Sequence, residues 1–239
     1  MKMNISNLVL SLTILLLFGM YFFVLDASSC GPNFKETERT AVVTAFKTEL
    51  QPFLDATQKI EVCTESGITY HLLSHNGTEF VAFQTGVGPE NANSSTQKAF
   101  EVLAAKDLLF SGIAGSVHAD YAIGHTLVAR EWINLATEEV VAVDDTFLSI
   151  VQEMEGVEIV ALGATSPTFV EDIAGIPQGV SLVDMETYEV ARIAKEKGIP
   201  FIAFRSISDY ADGEEKGVDF VQASLRSSER VLEFLEMIK

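Results

Sequence analysis

The stretch SLVDMETYEVARIAKEKGIPFIAFRSISDYAD, residues 181–212, concentrates side chains suited to chemistry. It reads as strand, helix, strand, and both strands end in carboxylates: Asp184 and Glu186 after the first, Asp209 and Asp212 after the second. Acids gathered at neighbouring strand ends repel one another, and folding alone gives no return for that repulsion. A site that has to manage a positive charge does. Taken one at a time the acids have plainer explanations. Asp209 can cap a turn, and Glu186 can sit in the first turn of a helix, where the macrodipole favours an anion.

The elements that must position these residues alternate along the chain. TAVVTAF (Thr40 to Phe46) reads as a buried strand leading into a short helix, TELQPFLDA. KIEVCTE and ITYHLLS are joined by Ser66-Gly67, and ITYHLLS and EFVAFQ by a turn containing Asn76-Gly77, the strongest short hairpin signal. TGVGPENA is a glycine turn opening a helix that runs to about Ala105. DLLFSGIAG and HTLVAREWI are strands, DDTFLSIVQEME is a helix capped by Asp144 or Asp145, and EIVALGATS and VSLVD are strands. The closing stretch is a long amphipathic helix whose Phe220, Leu225, Val231, Leu232, Phe234 and Leu235 point largely one way. This order predicts a single α/β domain with a mixed central β-sheet flanked by helices. Ligands of such sheets bind beyond the carboxyl ends of strands. Gly86, Gly88, Gly112 and Gly115 fall at those ends, together with Glu186 and Asp209.

A chain of 239 residues, 48% hydrophobic, suits one sizeable domain. Sixteen basic against thirty-four acidic residues give a net charge of -18, which excludes nucleic acid and anionic membrane surfaces as electrostatic partners. His71, His75, His118 and His125 show no ligand spacing with one another or with cysteine, so neither a metal nor a cofactor is expected.

The first residues have a different character. MKMNISN precedes an unbroken apolar run from Leu8 to Leu25, and DASSC follows, the layout of an export signal cut just before Cys30. Residues 1–29 therefore read as a signal peptide or membrane anchor, 30–39 as a leader or linker, and 40–239 as the domain. Membrane attachment would come from residues 8–25 left uncleaved, or from a lipid on Cys30. All of these place the domain outside the cytoplasm or at its boundary: periplasmic, secreted or membrane-anchored. Cys30 and Cys63 could pair in an oxidising compartment, although Cys63 in a strand also suits a buried free thiol. Asn76 and Asn93 begin glycosylation sequons, relevant only in a eukaryotic secretory host.

One set of motifs goes further. Ala45-Phe46-Lys47-Thr48-Glu49, Asn76-Gly77-Thr78, Thr85-Gly86-Val87-Gly88, Ser111-Gly112-Ile113-Ala114-Gly115, Asp184-Met185-Glu186 and Arg205-Ser206-Ile207-Ser208-Asp209 follow in that order. The chain thereby resembles the nucleoside phosphorylase superfamily, and within it most the methylthioadenosine/S-adenosylhomocysteine nucleosidases. The resemblance implies that Asp209 is the general acid that protonates N7 of a departing purine. It implies that Glu49 readies the attacking water, with Arg205 beside it, and that Glu186 and Met185 hold the ribose. Phe169 would stack on the base, Val170 would read its edge through the backbone, and Val87 and Ser208 would line the same substrate site. It also implies a homodimer and a purine nucleoside as substrate.

The chemistry asks for such residues in its own right. Breaking a purine–ribose bond passes through an oxocarbenium-like sugar, as glycoside hydrolysis does. A carboxylic acid must protonate the poor leaving group, and a carboxyl holds a proton best where burial and neighbouring carboxylates surround it. A second carboxylate readies water, and a third near the ribose favours the growing positive charge. Phosphorolysis would need a cationic clamp for the dianion. LLFSGIAG carries no positive charge and TAFKTEL only Lys47, so water is the expected nucleophile and hydrolysis the expected reaction. An exported phosphorylase, or a non-catalytic nucleoside-binding or storage protein on the same fold, are the alternatives. Three positions depart from the family pattern. Ile113 replaces a small hydroxyl residue, Pro167 replaces a second acid near the base, and INLATEEVVAV after Trp132 is far shorter than the usual loop.

Overall fold

The computed structural model describes residues 29–212 and 219–239. The leader read from residues 1–29 lies, but for Ser29, outside the described residues. Among those described, no helix is long and apolar enough to cross a membrane.

Ten strands form one mixed sheet. β1 (Arg39–Thr44) lies between β4 (Thr78–Gln84) and β5 (Ala105–Ser116), parallel to both. The run Thr40-Ala41-Val42-Val43-Thr44 is buried throughout, which is why it shows no polar alternation. β4 continues antiparallel into β3 (Ile68–His75) and then β2 (Gln58–Glu65), through the Asn76-Gly77 and Ser66-Gly67 turns expected. On the other side, β5 pairs in parallel with β10 (Phe201–Asp209), while its last residues, Gly115 and Ser116, pair antiparallel with β9 (Val180–Asp184). β6 (Thr126–Asn134) and β8 (Val157–Thr165) connect β10 to β9. The path β5–β10–β6–β8–β9–β5 therefore closes into a ring. Closure draws the end of β9 and the end of β10 against the end of β5, which brings their carboxylates together.

Helices cover the sheet: α1 (Pro32–Lys35), α2 (Lys47–Ala56), α3 (Pro89–Val102), α4 (Asp145–Val151, capped by Asp144), α5 (Thr187–Lys197) and α6 (Phe220–Met237). The segment after Trp132 folds as a tight hairpin, with β7 (Val140–Ala142) pairing back onto β6.

Two expectations need correction. Residues 30–39 are not a linker. They hold α1 and the start of β1, Cys30 and Phe34 are buried, and Cys30 is disulfide-bonded to Cys63. A short segment that buries one aromatic ring and one cystine lacks the apolar periodicity that would reveal it in sequence. The apolar stripe of α6 is also shorter than expected. Val231, Leu232, Phe234 and Leu235 are buried, but Phe220 and Leu225 stay partly exposed, and Ser224, Ser227 and Ser228 take the inward positions of its first half. Ser227 explains the substitution: its hydroxyl meets Phe204 O, Gly112 N and Ser111 Oγ, so the polar inner face of the helix satisfies buried polar groups of β5 and β10.

Candidate active site

The carboxyl ends of β1, β4, β5, β8, β9 and β10 surround a cavity of about 280 Å³. Glu49, Glu186 and Asp209 all line it, with Met185, Phe169, Val170, Ser208 and Val87. The predicted residues thus come together, except that Arg205 sits behind the cavity wall and Asp212 is exposed. Phe46, Thr168 and Phe220 also line the cavity, although sequence reasoning gave them no role there. Phe220 was hidden by its place in an apparently amphipathic helix. Pro167 and the β6–β7 hairpin are not among the lining residues, whereas Ile113 is.

Glu49 stands in the first turn of α2, 1% exposed. Its Oε2 accepts from Ala45 N at 2.6 Å and Phe46 N at 3.4 Å, and its Oε1 accepts from Ile113 N at 2.9 Å. These donors fix the carboxylate without using the side chain of residue 113, so an isoleucine there leaves Glu49 held. Burial pushes the Glu49 carboxyl above its ordinary value, against the pull of Arg205 and the backbone donors.

Arg205 is fully buried on β10, with its guanidinium 3.8 Å from the centre of the Phe110 ring. Its Nη2 meets Asp184 Oδ2 at 2.8 Å, and Nε and Nη2 donate to Thr187 Oγ1. Nη1 lies 3.8 Å from Glu49 Oε1 and makes no hydrogen bond among the described residues. A Cβ at Gly112 would stand 1.8 Å from that Nη1 and 2.6 Å from Glu49 Oε1, so only glycine leaves room for both side chains.

Asp184 is the hub that the sequence presented only as one acid among several. Its Oδ1 accepts from Thr165 Oγ1 and from the amides of Glu186 and Thr187, and its Oδ2 takes Arg205 and the Thr187 hydroxyl. It therefore starts α5 and orients Arg205 at once. Glu186, the residue just before α5, is held by Gly88 N, which donates to Oε1 at 2.7 Å. Gly88 reaches that position with φ of +94°, a conformation costly for any residue with a Cβ. Burial and the charge of Asp184 push the Glu186 carboxyl up to about 7.

Asp209 closes the end of β10. Ser208 Oγ donates to its Oδ2 at 2.7 Å and Ala211 N to its Oδ1 at 3.0 Å. The turn-capping explanation is therefore realised, yet the same carboxylate also lines the cavity. Phe169 is 55% exposed, its ring at the rim rather than in the core. Among the described residues, no Lys, Arg or His lines the cavity, and Lys47 is exposed.

Known proteins are similar to this chain over most of its length. It is 25% identical over 232 residues to a 5'-methylthioadenosine/S-adenosylhomocysteine nucleosidase of Bacillus thuringiensis subsp. konkukian, covering 84% of this chain and 100% of the relative. The solved structure of the corresponding Streptococcus pneumoniae nucleosidase with a transition-state inhibitor matches with a TM-score of 0.75. There, identity is 23%, with 85% of this chain and 100% of that one covered. A futalosine hydrolase of Helicobacter pylori matches with a TM-score of 0.73 at 20% identity, over 84% of this chain and 98% of that one. Agreement at these identities establishes the α/β architecture. The phosphorylase superfamily pattern itself is matched by residues 39–150 and 176–236, which carry Glu49, Glu186, Arg205 and Asp209 alike, and the chain belongs to that superfamily.

Proposed function

We propose that the protein hydrolyses the N-glycosidic bond of a purine nucleoside, of the methylthioadenosine, S-adenosylhomocysteine or adenosine type, and releases the free base. The observation that carries this reading is the convergence of Glu49, Glu186 and Asp209 on one cavity with Phe169 at its rim. Asp209 gives a proton to N7 of the base as the bond to the sugar breaks. Glu186 grips the ribose hydroxyls, and the positive charge growing on the sugar draws its carboxyl toward the ionised form. Glu49, with a raised proton affinity, takes the proton of the attacking water, and Arg205 lies beside it behind the cavity wall, its Nη1 3.8 Å from Glu49 Oε1. Phe169 offers a face to the purine, with Val170, Val87, Met185 and Ser208 completing the contact surface.

Water rather than phosphate is supported by the wall chemistry. Glu49, Asp184, Glu186 and Asp209 line the cavity without a lining cation among the described residues, which opposes a dianion. Homodimerisation and export stand as parts of the same proposal, the first from family likeness and the second from the apolar leader and the Cys30–Cys63 disulfide.

Purified protein incubated with methylthioadenosine, adenosine and inosine, with and without phosphate, decides the matter. Free base released in the absence of phosphate is the expected result. Release that requires phosphate would make the protein a phosphorylase, and tight binding with no release would make it a nucleoside-binding protein.

A further inference from the structure

Glu61, Cys63 and Glu65 alternate along β2 and so share one face of the strand. All three engage the segment that begins at Cys30. Asn33 Nδ2 donates to Glu61 Oε2 at 2.9 Å, Cys63 is bonded to Cys30, and Glu65 takes Cys30 N at 2.9 Å and Lys35 Nζ at 3.0 Å. Among the described residues, burial changes sharply there: Ser29 is exposed and Cys30 only 4% exposed. The same peptide bond follows Ala27 and Ser29, the small residues that a leader peptidase accepts. Two independent features, one in the fold and one in the leader sequence, therefore meet between residues 29 and 30.

We propose that the mature protein begins at Cys30, with its new α-ammonium group seated on the Glu65 carboxylate and its sulfur committed to Cys63 rather than to a lipid. Water adds across the Ser29–Cys30 peptide bond, leaving a carboxylate on the released leader and an ammonium on Cys30. The two thiols then pass two electrons and two protons to the disulfide of a thiol–disulfide oxidoreductase, which leaves as a dithiol. A thioether to a diacylglyceryl group would occupy the single open valence of the Cys30 sulfur, so lipidation and this disulfide exclude each other. Glu65 is prepared for a cation: Lys35 and the Cys30 amide already hold its carboxyl below the usual range. The cystine thus clamps the new terminus onto one face of the outermost strand of the sheet.

The test is the intact mass of the full chain exported by a bacterial host with its own leader. The expected mass is that of residues 30–239 less two hydrogens, with no alkylation by iodoacetamide until a reductant is added. A lipid adduct, a retained leader, a terminus at another residue, or thiols alkylated without reduction would each overturn the proposal. Ser29→Leu places a bulky residue before the cut and should leave the leader attached, with the protein in the membrane fraction. Unaltered processing of that variant to Cys30 would count against the cut described here.

Discussion

The pocket at the strand ends and the outer edge at β2 hold their charged groups in opposite ways. At the pocket, Glu49, Asp184, Arg205 and Asp209 are between 0% and 6% exposed, and their partners are backbone amides, the hydroxyls of Thr165, Thr187 and Ser208, or one another. The contacts join distant stretches: Ile113 N to Glu49, Gly88 N to Glu186. At the edge, Ile60 and Val62 are 44% and 39% exposed, the Lys35–Glu65 pair faces solvent, and a covalent bond does the holding. Buried charge is costly unless fully partnered, and a buried ion pair is often no more stable than an apolar replacement. The pocket's electrostatics are therefore explained by what they do to a ligand, and the edge's disulfide by what it does to the fold. Substitutions in the two regions should separate turnover from stability.

The largest expected effect is Asp209→Asn, which should cut base release by about 10²–10⁴ while sparing nucleoside binding. Turnover equal to the unmodified protein would remove Asp209 from the acid role. Next, Cys63→Ser should lower unfolding stability by about 3–4 kcal/mol, the entropy of a loop this long, without altering kcat. A parallel fall in kcat would show that edge and pocket are coupled. Gly112→Ala, unlike Cys63→Ser, should cost turnover as well as stability. Its Cβ must displace Arg205 or Glu49, costing about 1–3 kcal/mol of stability and most of the activity.

A subtler difference lies in pH. The folded protein holds a proton on Glu186 up to about 7, whereas the unfolded chain releases it near 4.5. The stability this adds is fully present below 4.5 and is lost as pH rises toward 7. Glu186→Gln should flatten that part of a denaturation-versus-pH curve, and an unchanged slope would assign the proton elsewhere. Smallest of all, Lys35→Ala removes an exposed pair and should leave both melting temperature and turnover unchanged in calorimetry and base-release assays.

Much of the fold was legible because its strands are apolar runs punctuated by glycine turns, and the two hairpins carry their turn residues openly. The acids were legible as types: carboxylates at strand ends are expensive unless used, and Glu186 and Asp209 follow buried strands directly. Three things were not. Residues 30–35 gave no periodic signal, because one ring and one cystine are enough to dock four helical residues. Phe220 looked like core, because a helix's apolar residues do not reveal where the covered face ends and the cavity begins. Asp184 looked like one more acid among several, because its role depends on Arg205 and Thr165, each about twenty residues away.

By itself the sequence determined the alternation of elements, the reading of the glycine turns, and the residue types needed to protonate a base, ready water and steady a cation. Each of these is local, resting on periodicity, backbone freedom and side-chain chemistry. Closure of the sheet through β5, β10, β6, β8 and β9 decided that the carboxylates share one cavity and that Arg205 turns toward Asp184 behind it, and the docking of the segment before β1 onto β2 decided that Cys30 meets Cys63. Those outcomes belong to contacts between distant segments, which exist only once the strands have found their register and the core has shut out water.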